Sequence, residues 1–196
     1  IGRQKGAGGL EIAKRLSEEF GIPFYDKQLL DIAAKESGLS KDVFMNIDER
    51  RGSIFISGFF SGIMGSLYTE YGASLGINRD ELFRIQSESI QHIANRESAI
   101  FVGRCADYIL RERNACLNVF ITATGDDRVE RLLECNKIKD AERYTRDEMI
   151  ELLEKSDSKR ENYYNYFTYK QWGAAASYDL CLNSSLIGIE GCVSII

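Results

Sequence analysis

The chain has 196 residues, of which 44% are hydrophobic and 28% charged, and its formal net charge is −5. This length predicts one domain with a sizeable core, and the acidic balance argues against a surface for nucleic acid or an anionic membrane. The 5 cysteines lack C-x-x-C spacing and there is 1 histidine, which argues against a zinc site and fits the reducing cytoplasm, where we expect the protein.

The chain opens with a glycine-rich stretch that leads into an apolar helix. GRQKGAGGLEIAKRL spans residues 2–16, and Ile12, Leu16 and Phe20 recur at helical spacing. Such a turn aims successive backbone N–H groups into one concavity, and the helix adds the positive end of its dipole, which is typical of phosphate binding. A strand has to lead into this turn, and we expect most of it to precede Ile1.

This turn departs from the usual phosphate loop at two positions. Gly9 stands where such loops carry lysine, and Leu10 stands where they carry the serine or threonine that binds magnesium. Arg3 and Lys5 can return positive charge, whereas nothing evident returns the hydroxyl. The backbone cradle would consist of Gly6, Ala7, Gly8 and Gly9. From this stretch alone, a nucleotide site and an ordinary turn without a ligand are both open.

Extended and helical signals alternate after the turn, which predicts a parallel sheet flanked by helices. A short buried strand is expected at 22–26 and a helix at 27–37. Residues 52–77 mix glycine, serine and aromatic residues without a clear period and are too interrupted for a membrane anchor. We expect a helical or irregular insertion at 45–77, serving as a lid or an oligomer surface, which leaves a homodimer open.

A helix with a defined start is predicted after this segment. Asn78 and Glu81 have the spacing of a capping box. The apolar face of the helix consists of Leu82, Ile85, Ile90 and Ile93. His92 lies in the same helix beside apolar neighbours, so we interpret it as a structural residue and not a catalytic one.

Further strands and helices are predicted in the second half of the chain. The strands are expected at 99–103, 117–122 and 178–183. One helix begins near Asp126 with acidic residues in its first turn. A long helix begins at Thr145, which forms a capping box with Glu148, and a closing helix runs through Ile189 and Val193.

Several motifs resemble those of the cytidylate kinase family. They are FVGRCADYIL, NVFITAT, the D-x-x-R pair Asp157 and Arg160, and YDLCLN. RQKGAGGLEI and IPFYDK resemble the cytidylate-kinase-like branch, in which a glycine turn without lysine is the usual form. The resemblance implies one domain over residues 1–196 with a three-layer P-loop NTPase-like α/β fold, a parallel sheet flanked by helices.

The resemblance also implies an ATP-dependent phosphotransferase that moves the γ-phosphate of ATP to CMP or a similar small acceptor, with Mg²⁺. The nucleotide would lie on Arg3, Lys5, Gly6, Ala7, Gly8, Gly9 and Leu10. The metal ligands are left open. The expected partners are a nucleotide donor and a small phosphate acceptor, with no nucleic acid and no membrane. Nucleotide binding without catalysis stays an alternative, because the usual lysine and hydroxyl are both missing.

Arginine and aspartate residues are the implied catalytic and acceptor-binding groups. Arg104 follows a predicted buried strand, where open α/β sheets bind ligands, and would hold the acceptor phosphate. Asp157 and Arg160 share a helix face and would help to read the cytosine edge and its phosphate. Arg128 and Arg131 lie where family kinases cover the ATP phosphates; we expect Arg131 to do so and the other to be a charge on the helix surface.

Two further aspartates complete the implied acceptor site. Asp26 would begin the acceptor-binding segment, but the family's next serine is Lys27 here, and an acceptor-binding arginine would fall at Ile32. These departures leave a different small-molecule acceptor open. Asp107 would either contact the acceptor or cap a helix at 108–113.

Overall fold

The structure, a computed structural model, describes residues 1–26, 79–135, 137–138 and 141–196. The helices are α1 (Gly9–Phe20), α2 (Arg79–Arg96), α3 (Ala106–Ile109), α4 (Gly125–Glu134), α5 (Arg146–Thr168) and α6 (Ser184–Ile195). The strands are β1 (Gly2–Arg3), β2 (Phe24–Tyr25), β3 (Ile100–Phe101), β4 (Val119–Thr122) and β5 (Leu180–Asn183).

Three sequence predictions lie outside the described residues. They are the helix at 27–37, the insertion at 45–77 and the capping role of Asn78. Among the helices that are described, none combines the length and the apolar character needed to cross a membrane.

The chain divides into two compact units. The first consists of Ile1–Lys27 and Glu97–Ile196, and the second is Gln28–Arg96. In the described part of the second unit, α2 buries the apolar side chains Ile85, Ile90 and Ile93. His92 is exposed on this helix, with Nε2 3.5 Å from Nη1 of Arg96.

The strands of the first unit pair in parallel. β1 pairs with β4, β4 pairs with β5, and β2 pairs with β3. The amino nitrogen of Ile1 donates to Phe101 O at 2.6 Å, and the backbone N–H of Gly103 donates to Ile1 O at 2.9 Å. These two bonds join the strands in the order β2-β3-β1-β4-β5. The glycine-rich turn after β1 therefore begins in the middle of the sheet, beside the ends of β3 and β4.

One face of the sheet is covered by α1 and α6. Val119 and Ile121 of β4 are buried against Ile12 and Leu16 of α1 and against Cys192 of α6. Alternate residues of a strand point to opposite faces, so these two β4 side chains share this layer. Burying them fixes the position of α1, and with it the turn from which α1 starts.

The opposite face carries an aromatic layer. Phe120, between the two inward residues of β4, packs with its ring centroid 5.1 Å from Trp172 and 5.0 Å from Tyr178. The ring of Tyr164, on α5, lies 6.3 Å from that of Tyr178. Gly2 makes room for this layer, since a Cβ there would lie 2.7 Å from Phe120. Helices thus flank both faces of the parallel sheet, which confirms the predicted α/β fold.

The strands are shorter than the sequence predicted. The expected strands at 22–26, 99–103, 117–122 and 178–183 shrink to β2, β3, β4 and β5. β2 is also only half-buried, and the prediction of a buried strand there is wrong. In the described sheet β2 pairs with β3 alone, so it lies at an edge and has no strand on its other side.

The helix starts agree with local capping signals. Thr124 accepts a hydrogen bond from the backbone N–H of Asp127 at 3.3 Å and starts α4 one residue before the predicted Asp126. Thr145 and Glu148 form the predicted capping box of α5. The two helices pack through the buried side chains Val129, Leu132, Met149 and Leu153. This packing brings the middle of α5 towards the glycine-rich turn.

Candidate functional site

The glycine turn, residues 4–9, joins β1 to α1. Ala7 donates its N–H to Gln4 O at 3.3 Å, and Gly6 and Gly8 adopt left-handed φ angles of 81° and 83°. The first N–H groups of a helix have no partner within the helix, and Gly8 supplies no side-chain cap to α1. The turn therefore presents backbone donors at the positive end of a helix dipole, as an anion site requires.

Neighbouring segments hold the carbonyl side of the glycine turn. Arg131 donates from Nη1 to Gly6 O at 3.3 Å and to Ser184 Oγ at 3.0 Å. Ser184 in turn donates to Ala7 O at 2.9 Å. A Cβ on Gly6 would lie 2.6 Å from the carbonyl oxygen of Arg128. Side chains of α4 and of the start of α6 thus hold the carbonyl side of the turn and leave its N–H side free of these contacts.

Asp157 links the glycine turn to α4 and α5. Its Oδ1 accepts from the backbone N–H of Lys5 at 2.7 Å and from Arg160 Nη1 at 3.2 Å, while Oδ2 accepts from Arg128 Nη2. Arg128 also donates from Nε to Lys5 O at 2.6 Å. Burial raises the pKa of the Asp157 carboxyl, and the Lys5 amide and both guanidinium groups oppose that rise. Both carboxyl oxygens are therefore occupied by protein donors.

Neither Arg128 nor Arg131 is a surface charge, so that part of the sequence prediction is wrong. Arg128 is only 5% exposed and pairs with Asp157, and Arg131 bonds to the glycine turn. The sequence held a signal for the first, because Arg128 lies on the same helix stripe as the buried Val129 and Leu132. A charged residue on an apolar stripe indicates a buried partner.

The arginine turn, residues 103–105, follows β3. Gly103, Arg104 and Cys105 all adopt left-handed φ angles, of 78°, 60° and 58°. This backbone lifts Arg104 out of the strand direction, and its Cζ lies 5.3 Å from the ring centroid of Tyr163. Nε of Arg104 is buried and has no hydrogen-bond partner among the described residues. Cys105 is buried at the start of α3, and burial raises the pKa of its thiol to about 12.

Asp107 belongs to the aromatic layer instead of capping a helix at 108–113. α3 spans Ala106–Ile109 and has Cys105 at its N-cap, so the predicted helix is displaced and too long. Asp107 Oδ2 accepts the hydroxyl hydrogen of Tyr164 at 2.6 Å. Burial and this carboxylate raise the pKa of Tyr164 well above its usual value, so the phenol remains a neutral donor.

Three of the predicted cations meet between the two turns. Arg160 donates from Nη1 to Arg3 O at 3.3 Å, and the guanidinium of Arg3 lies against Gly103, next to Arg104. Burial, with the charges of Arg160 and Arg104, lowers the pKa of Arg3 to about 10. The pKa of Lys5 is also lowered, first by burial and then by Arg160. Positive charge is thus concentrated where β1 and β3 end.

Asp26 lies at the same end of the sheet, directly after β2. Val102, at the end of β3, donates its N–H to Tyr25 O at 2.9 Å, which places the ends of these strands side by side. The Asp26 charge favours the protonated form of Arg3, so the two side chains interact electrostatically. The structure therefore brings Asp26, Arg104, Asp157 and Arg160 towards the glycine turn, whereas Asp107 faces Tyr164.

The family model of the cytidylate kinase-like family matches residues 1–186. The chain belongs to the cytidylate kinase-like family. This finding confirms the resemblance carried by the glycine turn, the GRCAD segment and the D-x-x-R helix. No curated protein matches the chain.

Two solved structures resemble this member of the cytidylate kinase-like family. An uncharacterized protein from Eubacterium ventriosum is 24% identical, with a TM-score of 0.69 over 100% of this chain and 92% of that chain. Shikimate kinase from Bacteroides thetaiotaomicron is 16% identical, with a TM-score of 0.54 over 99% of this chain and 92% of that chain. At these identities the likeness concerns the fold alone, and it confirms the predicted P-loop NTPase-like α/β fold.

The glycine turn of this family member offers no evident side-chain ligand for Mg²⁺. Leu10, at the usual hydroxyl position, is 41% exposed, and Glu11 accepts a hydrogen bond from Arg15 at 2.7 Å. The described residues contain no group of three or more His, Cys, Asp or Glu placed to hold a metal ion. A Mg²⁺ ion bound mainly by phosphates and water suits such a site, since this ion retains several waters in many phosphate complexes.

Proposed function

We propose that the chain is a small-molecule kinase that transfers the γ-phosphoryl group of ATP to CMP or a similar phosphate-bearing acceptor. The observation that carries this proposal is the juxtaposition of the glycine turn with the cluster of Arg3, Arg104 and Arg160. A polyphosphate and a second anion need backbone donors and guanidinium groups at one place. Two adjacent strand ends, those of β1 and β3, supply both.

The donor phosphates are proposed to bind the glycine turn. Gly6, Gly8 and Gly9 would supply backbone N–H groups, since the N–H of Ala7 already donates to Gln4 O, and α1 would add the positive end of its dipole. Lys5 would add positive charge in place of the lysine that Gly9 replaces. Arg131 supports this role indirectly, because it holds the carbonyl side of the turn through Gly6 O. Magnesium, delivered on the nucleotide, would neutralise phosphate charge.

The acceptor is proposed to bind between Arg104, Arg160 and Asp26. Arg104 has an unpaired buried Nε, which favours a ligand that accepts a hydrogen bond there. Asp157 would act as a positioning residue, because its two oxygens hold Lys5, Arg128 and Arg160. Its removal would then misplace both the glycine turn and an acceptor-binding arginine.

The transfer step needs positioning and charge neutralisation more than acid–base chemistry. An anionic oxygen of the acceptor phosphate attacks the γ-phosphorus, and the bond from that phosphorus to the β–γ bridging oxygen breaks. ADP leaves with the electron pair, and no proton has to move if the attacking oxygen is already ionised. Fixed guanidinium groups lower the repulsion between the two anions as they approach.

ADP formation tests the proposal. The full chain is incubated with ATP, Mg²⁺ and a panel of nucleoside monophosphates and small alcohols, beside the variants Arg160→Met and Arg15→Met. We expect turnover with CMP or another phosphate-bearing acceptor, loss of it in Arg160→Met, and retention in Arg15→Met, since Arg15 pairs with Glu11 and Glu190 on the exposed side of α1.

A non-catalytic nucleotide-binding protein is the second candidate, favoured by Gly9 and Leu10 at the two usual functional positions. Saturable ATP binding without ADP formation across the whole panel would establish it. Turnover only with a neutral alcohol would instead show a kinase for a different class of acceptor.

A further inference from the structure

The side chain of Arg3 extends from the glycine turn to the arginine turn. A Cβ on Gly9 would lie 2.7 Å from Arg3 Cβ, so the stem of the arginine passes directly over the start of α1. A Cβ on Gly103 would lie 2.2 Å from Arg3 Nη1, so the guanidinium ends at the arginine turn. Both glycines leave the space that this path requires. Although Arg3 is next to the donor turn in sequence, its charge lies at the end of β3.

The surroundings of the Arg3 guanidinium are rich in positive charge. Arg160 bonds to the carbonyl oxygen of Arg3, and Arg104 follows Gly103 directly. Asp157 and Asp26 oppose these charges, but Asp157 is already shared with Arg128 and Lys5. Like charges held together in a partly buried site disfavour the ligand-free state, and a bound anion relieves that cost.

Arg104 provides a second, independent observation at the same place. Its Nε is buried and finds no acceptor within the described part of the chain. A buried donor without a partner is costly, and such a group indicates a missing ligand atom. Arg104 directly follows Gly103, against which the Arg3 guanidinium lies, so a ligand atom that satisfies this Nε would lie near both arginines.

We infer that Arg3 belongs to the acceptor half of the site, where it joins Arg104 and Arg160 in binding a phosphate monoester and so selects phosphorylated acceptors over neutral alcohols. This inference rests on the proposed kinase function. It moves Arg3 away from the donor role that its position in the sequence predicted. Lys5 then remains as the side-chain cation beside the donor phosphates.

Calorimetry with two probes, ADP and inorganic phosphate, tests the inference on the full chain. ADP is titrated first, and phosphate is then titrated into the ADP-saturated protein, so that the glycine turn is already occupied. The variants are Arg3→Met, which keeps the apolar stem, Arg3→Lys, which keeps a charge without the fork, and the control Arg15→Met.

We expect Arg3→Met to weaken phosphate binding by about tenfold or more while the Kd for ADP changes less than about twofold. Arg3→Lys should lie between Arg3→Met and the wild type, and Arg15→Met should match the wild type. Loss of ADP binding in Arg3→Met, or equal phosphate binding in Arg3→Met and the wild type, would overturn the inference.

If the wild type binds no ADP, the proposed function fails, and phosphate titrated into the nucleotide-free protein still decides the role of Arg3. Weaker binding in Arg3→Met would then support an anion site without a kinase, and unchanged or absent binding would overturn it.

The melting temperature separates ligand binding from a purely structural role of Arg3. Removing a charge from a repulsive cluster should leave the ligand-free protein at least as stable, while phosphate should stabilise the wild type and no longer stabilise Arg3→Met. A ligand-free melting temperature that falls in Arg3→Met, with the phosphate effect intact, would show that Arg3 is structural.

The lowered pKa of Arg3 determines the direction in which stability changes with pH. The pKa of Arg3 is lowered to about 10 in the folded chain, from its usual 12.5. The charged form is therefore disfavoured by folding, and its cost is fully present below pH 10 and is relieved as the pH rises towards 12.5. At neutral pH, Arg3→Met should remove that cost, consistent with the expected melting temperature.

Discussion

The glycine turn and the arginine turn end neighbouring strands but use left-handed backbone for opposite purposes. In the first, the left-handed residues Gly6 and Gly8 have no side chain, so backbone donors face the site. In the second, Arg104 and Cys105 adopt the same conformation, which costs about 1–2 kcal/mol for each residue. This strained backbone sets the direction of the Arg104 side chain. We therefore expect backbone N–H groups to bind the donor phosphates and side chains to bind the acceptor.

The largest effect is expected at Asp157, which joins the glycine turn to the buried Arg128. Asp157→Ala leaves Arg128 buried without its carboxylate and frees the backbone of Lys5. Breaking a buried ion pair typically costs about 3–5 kcal/mol, so we expect a loss of that size in the free energy of unfolding, measured with urea. ATP binding by the folded fraction should fall as well.

Asp126→Ala is the matched control. Asp126 also pairs with an arginine, Arg146, but both side chains are exposed, so a loss of at most about 1 kcal/mol is expected. Equal losses in the two variants would mean that the buried pair does not stabilise the turn.

The next largest effect is expected when a side chain fills the space between Gly6 and the backbone of Arg128. In Gly6→Ala, the new Cβ would lie 2.6 Å from the backbone oxygen of Arg128, in addition to the left-handed strain. Overpacking typically costs about 1–3 kcal/mol, and a displaced turn should bind ATP at least about tenfold more weakly. Unfolding in urea and calorimetry with ATP measure the two effects.

Gly21→Ala separates strain from packing, because Gly21 has a φ of 64° and no described atom within 4 Å of its added Cβ. Gly21→Ala should show strain alone and normal ATP binding. If Gly6→Ala were no worse than this control, the contact with Arg128 would be unimportant.

A smaller and more selective effect is expected at the arginine turn. In Gly103→Ala, the new Cβ would collide with Nη1 of Arg3, the flexible end of a long side chain, so the fold can adapt. We expect phosphate binding to the ADP-saturated protein to weaken about tenfold while ADP binding is retained, because the left-handed strain and the displaced Arg3 guanidinium both lie at the arginine turn. A variant that loses ADP binding and keeps phosphate binding would contradict the division between the turns.

The smallest expected effect is a difference in reactivity between two cysteine thiols. Burial raises the pKa of the Cys105 thiol to about 12, so at pH 8 almost no thiolate, the reactive form, is present. We expect iodoacetamide to label the exposed Cys135 well before Cys105, as read by mass spectrometry of peptides. Early labelling of Cys105 would show that the arginine turn opens readily in solution.

Local signals made parts of the fold predictable. Thr145 and Glu148 lie three positions apart and cap α5 through contacts confined to one turn of chain. The alternation of strands and helices predicted the parallel sheet, and Gly21 ends α1 as expected. Strand lengths were less predictable, because pairing with neighbours, and not the apolar pattern, decides where β2 and β5 begin and end.

Long-range contacts explain what the sequence could not show. Asp157 meets Lys5 across 152 positions and Arg128 across 29, and no spacing rule connects such residues. The D-x-x-R spacing placed Arg160 beside Asp157 correctly. The direction of Arg3 was hidden for the same reason, since it depends on the space left by Gly103 in a distant segment.

The break in α6 lies next to the glycine turn. Gly188 has a φ of 70° inside the helix, and the next residue, Ile189, would place Cδ1 only 2.2 Å from a Cβ on Gly8. Positions 8 and 189 therefore share one volume, and a side chain at position 8 would require the end of Ile189 to move. If the glycine turn binds the donor as proposed, a paired exchange at these two positions would alter donor binding from the side of the closing helix.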